Sequence, residues 1–158
     1  MRYLITALLL IGFLTTGLLR AENVMMVRSY DSFAVAQDAV TKSLESHGYT
    51  VAHVQRCDGG LTGFGYETDL YRVLFFGKPD EVRQWSKKVP ELIPYLPLKI
   101  ALIAEDDQVL ISSFNPEELG QMFTDRKLQI QFSRWKNDIE SVMREVSGRA
   151  SVLTARAN

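Results

Sequence analysis

A chain of 158 residues with 46% hydrophobic content is long enough for one domain with a sizeable core and too short for two comfortable ones. Its net charge of −1 offers no basic field for nucleic acid, which binds chiefly through neutralised phosphates. The single cysteine, Cys57, excludes an internal disulfide, so core packing must hold the fold.

The chain begins with Arg2, an apolar run from Tyr3 to Leu19, and then Arg20-Ala21. This is the layout of a secretory signal peptide, residues 1–21, with cleavage expected after Ala21. Uncleaved, the run sits at the lower end of what spans a bilayer and would be the chain's membrane contact. Either way the domain is expected to be periplasmic or otherwise extracytoplasmic. Loss of Arg2 and Arg20 leaves 16 basic against 19 acidic residues, a net −3.

The mature chain opens on a predicted strand from Asn23 to Tyr30, and Asp31 or Ser32 then supplies a helix N-cap. Phe33, Ala36, Val40 and Leu44 recur at helical steps and Gly48 is placed to cap that helix in the left-handed conformation. A strand from Tyr49 to Arg56 follows, with Val51, His53, Gln55 and Cys57 on one face and Ala52, Val54 and Arg56 on the other, a weakly polarised pattern that leaves the buried face open. The glycine-rich stretch RCDGGLTGFGY reads as a flexible crossing to a core strand, Asp69 to Phe76, which Gly77 breaks. Pro79, with Asp80 and Glu81 in the first turn and Lys87 and Lys88 in the last, starts a helix whose charges oppose its dipole; Val82, Trp85 and Val89 point at the core.

Prolines 90, 94 and 97 predict a stiff extended linker before the apolar strand Leu98 to Ala104. Glu105 to Gln108 turns that strand into Val109 to Phe114, and Asn115-Pro116-Glu117-Glu118 opens a short helix. Leu128, Phe132, Trp135, Ile139, Val142, Met143 and Val146 then step along a long helix to Gly148. Residues 22–148 therefore predict a single α+β domain with helices on one face of a mostly antiparallel sheet, and residues 149–158 a disordered tail.

The glycine loop lacks both a following helix and a Lys-Ser or Lys-Thr pair, which a phosphate cradle needs. His53 and Cys57, four apart on one strand, would stand about 13 Å from each other, too far to act as a nucleophile and its base. A soft or borderline metal wants three or four such ligands, and no metal site is assigned. Glu105, Asp106 and Asp107 read as a solvated hairpin tip. Arg72, beside Tyr71 in a hydrophobic strand, must face either the outside of the sheet or a paired acid. Its functional reading is recognition of an anion or carboxylate in a sheet-lined pocket.

The Gly-Tyr-Thr-Val strand, the Leu-Tyr-Arg-Val-Leu-Phe-Phe-Gly-Lys-Pro junction, the Leu-Pro-Leu-Lys-Ile strand, the Glu-Asp-Asp turn and the Asn-Pro-Glu-Glu-Leu helix together resemble the domain-of-unknown-function family numbered 302. The likeness runs from about Val24 to Val146. It implies a half-fold like that of the TATA-binding protein, with a curved antiparallel sheet, helices on one face, and a homodimer. It implies no activity. Many relatives carry Cys-Asn-Pro where this chain has Phe76-Gly77-Lys78-Pro79, and a cysteine where it has Leu98. The expected function is thus an exported, non-enzymatic envelope protein that binds a small molecule or a partner protein, with Cys57, His53, Tyr71 and Arg72 as candidate ligand-binding residues and no cofactor assigned. The alternative is a redox or metal-handling accessory that uses Cys57 and His53.

Overall fold

The computed structural model describes residues 23–66 and 69–156. The expected leader lies outside the described residues. Five strands form one antiparallel sheet in the order β1-β5-β4-β3-β2. They are β1 (Val24–Ser29), β2 (Thr50–Arg56), β3 (Tyr71–Gly77), β4 (Leu98–Glu105) and β5 (Gln108–Phe114). The helices are α1 (Phe33–Ser46), α2 (Cys57–Thr62), α3 (Pro79–Lys88) and α4 (Arg126–Arg156), with 3₁₀ helices at Pro90–Tyr95 and Pro116–Gln121. This is the expected α+β domain.

Alternation along the strands fixes the faces. Met25, Leu74, Phe76, Ile100, Leu102, Val109 and Ile111 are buried beneath the helices. Their neighbours point the other way and remain partly or wholly exposed. The helices contribute Ala36, Val40 and Leu44 from α1, Trp85 from α3, and all seven predicted residues of α4 from Leu128 to Val146. Each large aliphatic chain withdrawn from water in this layer contributes about 1.5–3 kcal/mol. One sheet face is therefore covered and the other is open among the described residues.

Gly48 ends α1 as predicted. With φ at 77° it sends its amide to the Glu45 carbonyl at 2.9 Å, and the Tyr49 amide reaches the Leu44 carbonyl at 3.0 Å. Those two bonds satisfy carbonyls that the helix end would leave without partners. The start of the helix is weaker. Ser32 occupies the cap position but its hydroxyl makes no capping bond.

Four expectations need correction. Strand β2 does not alternate evenly, because Val51 pairs with Phe76 and His53 with Phe75, leaving Ala52 as a bulge. Val51 and Val54 both pack inward as a result, and the weak two-face pattern in the sequence has this cause. The glycine-rich stretch is not a loop throughout: after Arg56, the last residue of β2, Cys57–Thr62 form α2, so Cys57 leaves the strand and starts a helix. The proline-rich segment is not extended either, since Pro90–Tyr95 winds into a 3₁₀ helix that buries Leu92. Finally, α4 passes Gly148 and continues to Arg156, so most of the expected tail is helical. Glycine in a helix interior costs only about 1 kcal/mol, too little to stop a helix of 31 residues.

Candidate functional site

The four residues singled out in the sequence do not form one site. His53 and Tyr71 lie on the open face, His53 opposite Phe75 and Tyr71 opposite Ile103. The His53 ring is exposed, 6.0 Å from the Phe75 ring, with Nε2 3.2 Å from the Gln55 side-chain oxygen. Cys57 is half-buried at the start of α2, its thiol 4.0 Å from the Gln55 carbonyl. Among the described residues no three of His, Cys, Asp and Glu are grouped as a metal ion would need.

Arg72 faces the helix layer, the opposite side from Tyr71, as its place two residues before Leu74 requires. Its guanidinium pairs with Asp58 of α2, with both side chains about seven-eighths buried. It also donates to the Tyr71 carbonyl at 3.0 Å and lies 5.8 Å from the Phe33 ring centroid. The paired-acid alternative thus applies, and Arg72 fastens α2 to the sheet. A ligand at this guanidinium would have to share it with Asp58 at a place where both side chains are largely shielded from water.

A second polar group joins α4 to the rest of the core. The Tyr49 hydroxyl donates to Asp138 at 2.6 Å, and the Lys78 ammonium lies 4.6 Å from the Tyr49 ring centroid. Burial first, then the Asp138 carboxylate, push the phenol far above its ordinary value of 10.0. Nearby, Glu81 of α3 accepts from Arg134 at 2.6 Å and from the Trp135 indole at 3.2 Å. That pairing raises the already high Arg134 value further. Gly77, Lys78 and Leu98 come together here against Glu81, Val82 and Trp135, and the gap between them is too small for a water molecule. The cluster is a closed brace.

Room for a ligand exists beside the brace, at the same end of β4, with Leu98 common to both. A cavity of about 220 Å³ opens there between the two 3₁₀ helices and the ends of β4 and β5. Tyr95, Leu98, Phe114, Pro116 and Leu119 make its walls, and Lys99 is the charged residue of the lining. The Ser113 hydroxyl, also in the lining, donates to the Lys99 carbonyl at 2.8 Å. Asn115 folds the second 3₁₀ helix onto this end of the sheet by accepting the Glu117 amide at 3.0 Å. Ile93, Phe114 and Met122, on the segments that wall the cavity, are 53%, 46% and 56% exposed. Sequence reasoning missed this site because it treated Pro90 to Pro97 as a spacer. The signal was the pairing of that segment with the Asn115-Pro116 helix start, both rich in apolar residues.

The open face of the sheet is a further unoccupied surface. Tyr71, Ile103 and Leu110 form one row across three strands, and Val73, Ala101 and Ser112 form the next. An Arg28 to Glu105 ion pair at 3.0 Å lies beside them, linking β1 to β4 across β5.

Among the described residues no helix is long and apolar enough to cross a membrane. Comparison with curated proteins finds no match. A solved structure, described as the crystal structure of an uncharacterized conserved protein DUF302 from Bacillus stearothermophilus, is similar with a TM-score of 0.72. The likeness covers 80% of this chain and 99% of that one at 16% identity, which speaks for the fold alone. Residues 25–146 match the family described as Domain of unknown function DUF302. That span contains every strand except the first residue of β1, the closed brace and the cavity, and the chain is a member of the DUF302 family.

Proposed function

We propose that this chain is an exported, non-enzymatic binding protein of the cell envelope, which takes a small molecule into the cavity between the two 3₁₀ helices. The leader layout of residues 1–21 supports export. The observation that carries the binding role is the cavity itself, apolar in its walls and rimmed by exposed apolar side chains. Its lining offers little for catalysis, since Ser113 is engaged as a donor to backbone and has no histidine or carboxylate beside it in the lining. The same reading includes a homodimer formed through the open sheet face, whose rows of half-exposed apolar residues suit association.

Native mass spectrometry of protein recovered from the export compartment tests this reading. The expected result is a polypeptide starting at Glu22 that carries a small-molecule adduct. Amide chemical-shift mapping with a fragment library should then move Leu98, Phe114 and Leu119. A bare, unprocessed chain whose amides at those positions respond to no fragment would overturn the proposal.

A further inference from the structure

We propose that the cavity selects small organic monoanions, a carboxylate on a short apolar body, with Lys99 as the charge-recognising residue. The inference rests on reading the cavity as a binding site and adds what kind of molecule the site prefers. Its volume of about 220 Å³ lies below the roughly 300–1,000 Å³ usual for drug-sized ligands, so the body must be short.

The charge argument starts from Lys99. Lys42, Lys88 and Lys136 are paired with Asp38, Asp125 and both Glu117 and Glu140. Lys99, like Lys78, Lys87 and Lys127, has no carboxylate within salt-bridge distance among the described residues, and of these four it alone lies in the lining of the cavity. Its ammonium lies instead 5.8 Å from the Phe75 ring centroid. Continuing the β4–β5 register places Lys99 beside Phe114, which walls the cavity. An exposed ammonium flanked by aromatic rings at an apolar opening is positioned to hold an anion whose body enters the cavity.

Nothing acidic in the lining opposes this. Glu117 and Glu118, adjoining the lining residue Pro116, are engaged elsewhere: Glu117 accepts from Ser133 at 2.6 Å and Glu118 from Gln121 at 3.0 Å. On another wall the Tyr95 hydroxyl donates only to the Met122 sulfur, at 3.7 Å. A thioether is a weak acceptor, and a carboxylate oxygen would replace it with a stronger bond.

The test is an NMR titration of the mature chain with hexanoate and with its uncharged counterpart hexanamide, near neutral pH and low salt. Hexanoate should bind about tenfold tighter, the gain of one charge-assisted hydrogen bond. Lys99→Met should bring the two ligands to equal affinity, and Lys99→Arg should keep the preference. Lys99 is exposed, so neither substitution threatens folding. Equal affinities in the native chain, or a preference that survives Lys99→Met, would overturn the anion proposal while leaving the cavity as a site. Absence of shifts at Leu98, Phe114 and Leu119 with both ligands would remove the cavity reading together with it.

Discussion

Arg72 and Asp58 stand 14 positions apart and meet in a pairing that the sequence offered only as one of two choices for an arginine in an apolar strand. The pair is mostly shielded from water, so removing one partner leaves a charge with little solvation. Arg72→Met is expected to destabilise the protein by about 2 kcal/mol and to raise proteolysis within residues 57–66, with Asp58→Leu in the same chain recovering part of the loss. Denaturant unfolding measures the first effect, and a cost below about 0.5 kcal/mol would mean the pair is not structural. Asp125, just before α4, accepts from the Lys127 and Leu128 amides at 2.8 and 3.1 Å and from Lys88 at 3.0 Å. The Lys88 ammonium, then the Leu128 amide, hold its carboxyl below the ordinary value of 3.8. A depressed carboxyl contributes stability that is present above that ordinary value and disappears as pH falls through the lower folded one. Asp125→Ala should therefore lower the melting temperature at neutral pH, with the difference from the native chain closing under strong acid. A difference independent of pH would assign the effect to something other than the charge.

Elements were legible where one physical signal governed them. The core face of α4 was readable from residue spacing, and Gly48 from its left-handed cap, because both are local rules. Strand β2 was not, since the bulge at Ala52 depends on how β3 lies against it. The proline-rich segment misled for a similar reason. Prolines at 90 and 94 are compatible with a short 3₁₀ helix as well as with an extended chain, and the burial of Leu92 decides between them. The cavity inherits that misreading, being built from two 3₁₀ helices far apart in sequence. Gly77 ends β3 for a reason that only the folded chain reveals. A Cβ added there would stand 2.7 Å from the Val82 Cγ2. Valine is stiff at χ1 and cannot swing aside, so Gly77→Ala is expected to cost about 1–3 kcal/mol. Val82→Ala in the same chain should return most of that loss in a thermal or denaturant melt. Failure of the second change to rescue the first would place the strain elsewhere.

At the scale of the whole molecule the described residues cover the sheet on one side only. The open rows through Tyr71 and Val73 lie where a second copy is proposed to sit, and Val73 is half-buried at their centre. Placing a carboxylate there would bury a charge at that interface. Val73→Glu should convert the proposed homodimer to a monomer in analytical ultracentrifugation without loss of helical content. A dimer of undiminished affinity would exclude this face as the interface.

The two margins of the sheet also differ. Strand β1 pairs with β5 and with no other strand among the described residues, and it runs without irregularity. Strand β2 at the far margin carries the Ala52 bulge and exposed polar side chains. Bulges and polar side chains discourage an incoming strand from extending the ladder. A protein with two regular margins could recruit copies in an endless ribbon. With one margin spoiled, any ladder extension through β1 ends once two copies have met, and fibre growth by this route is arrested at the pair.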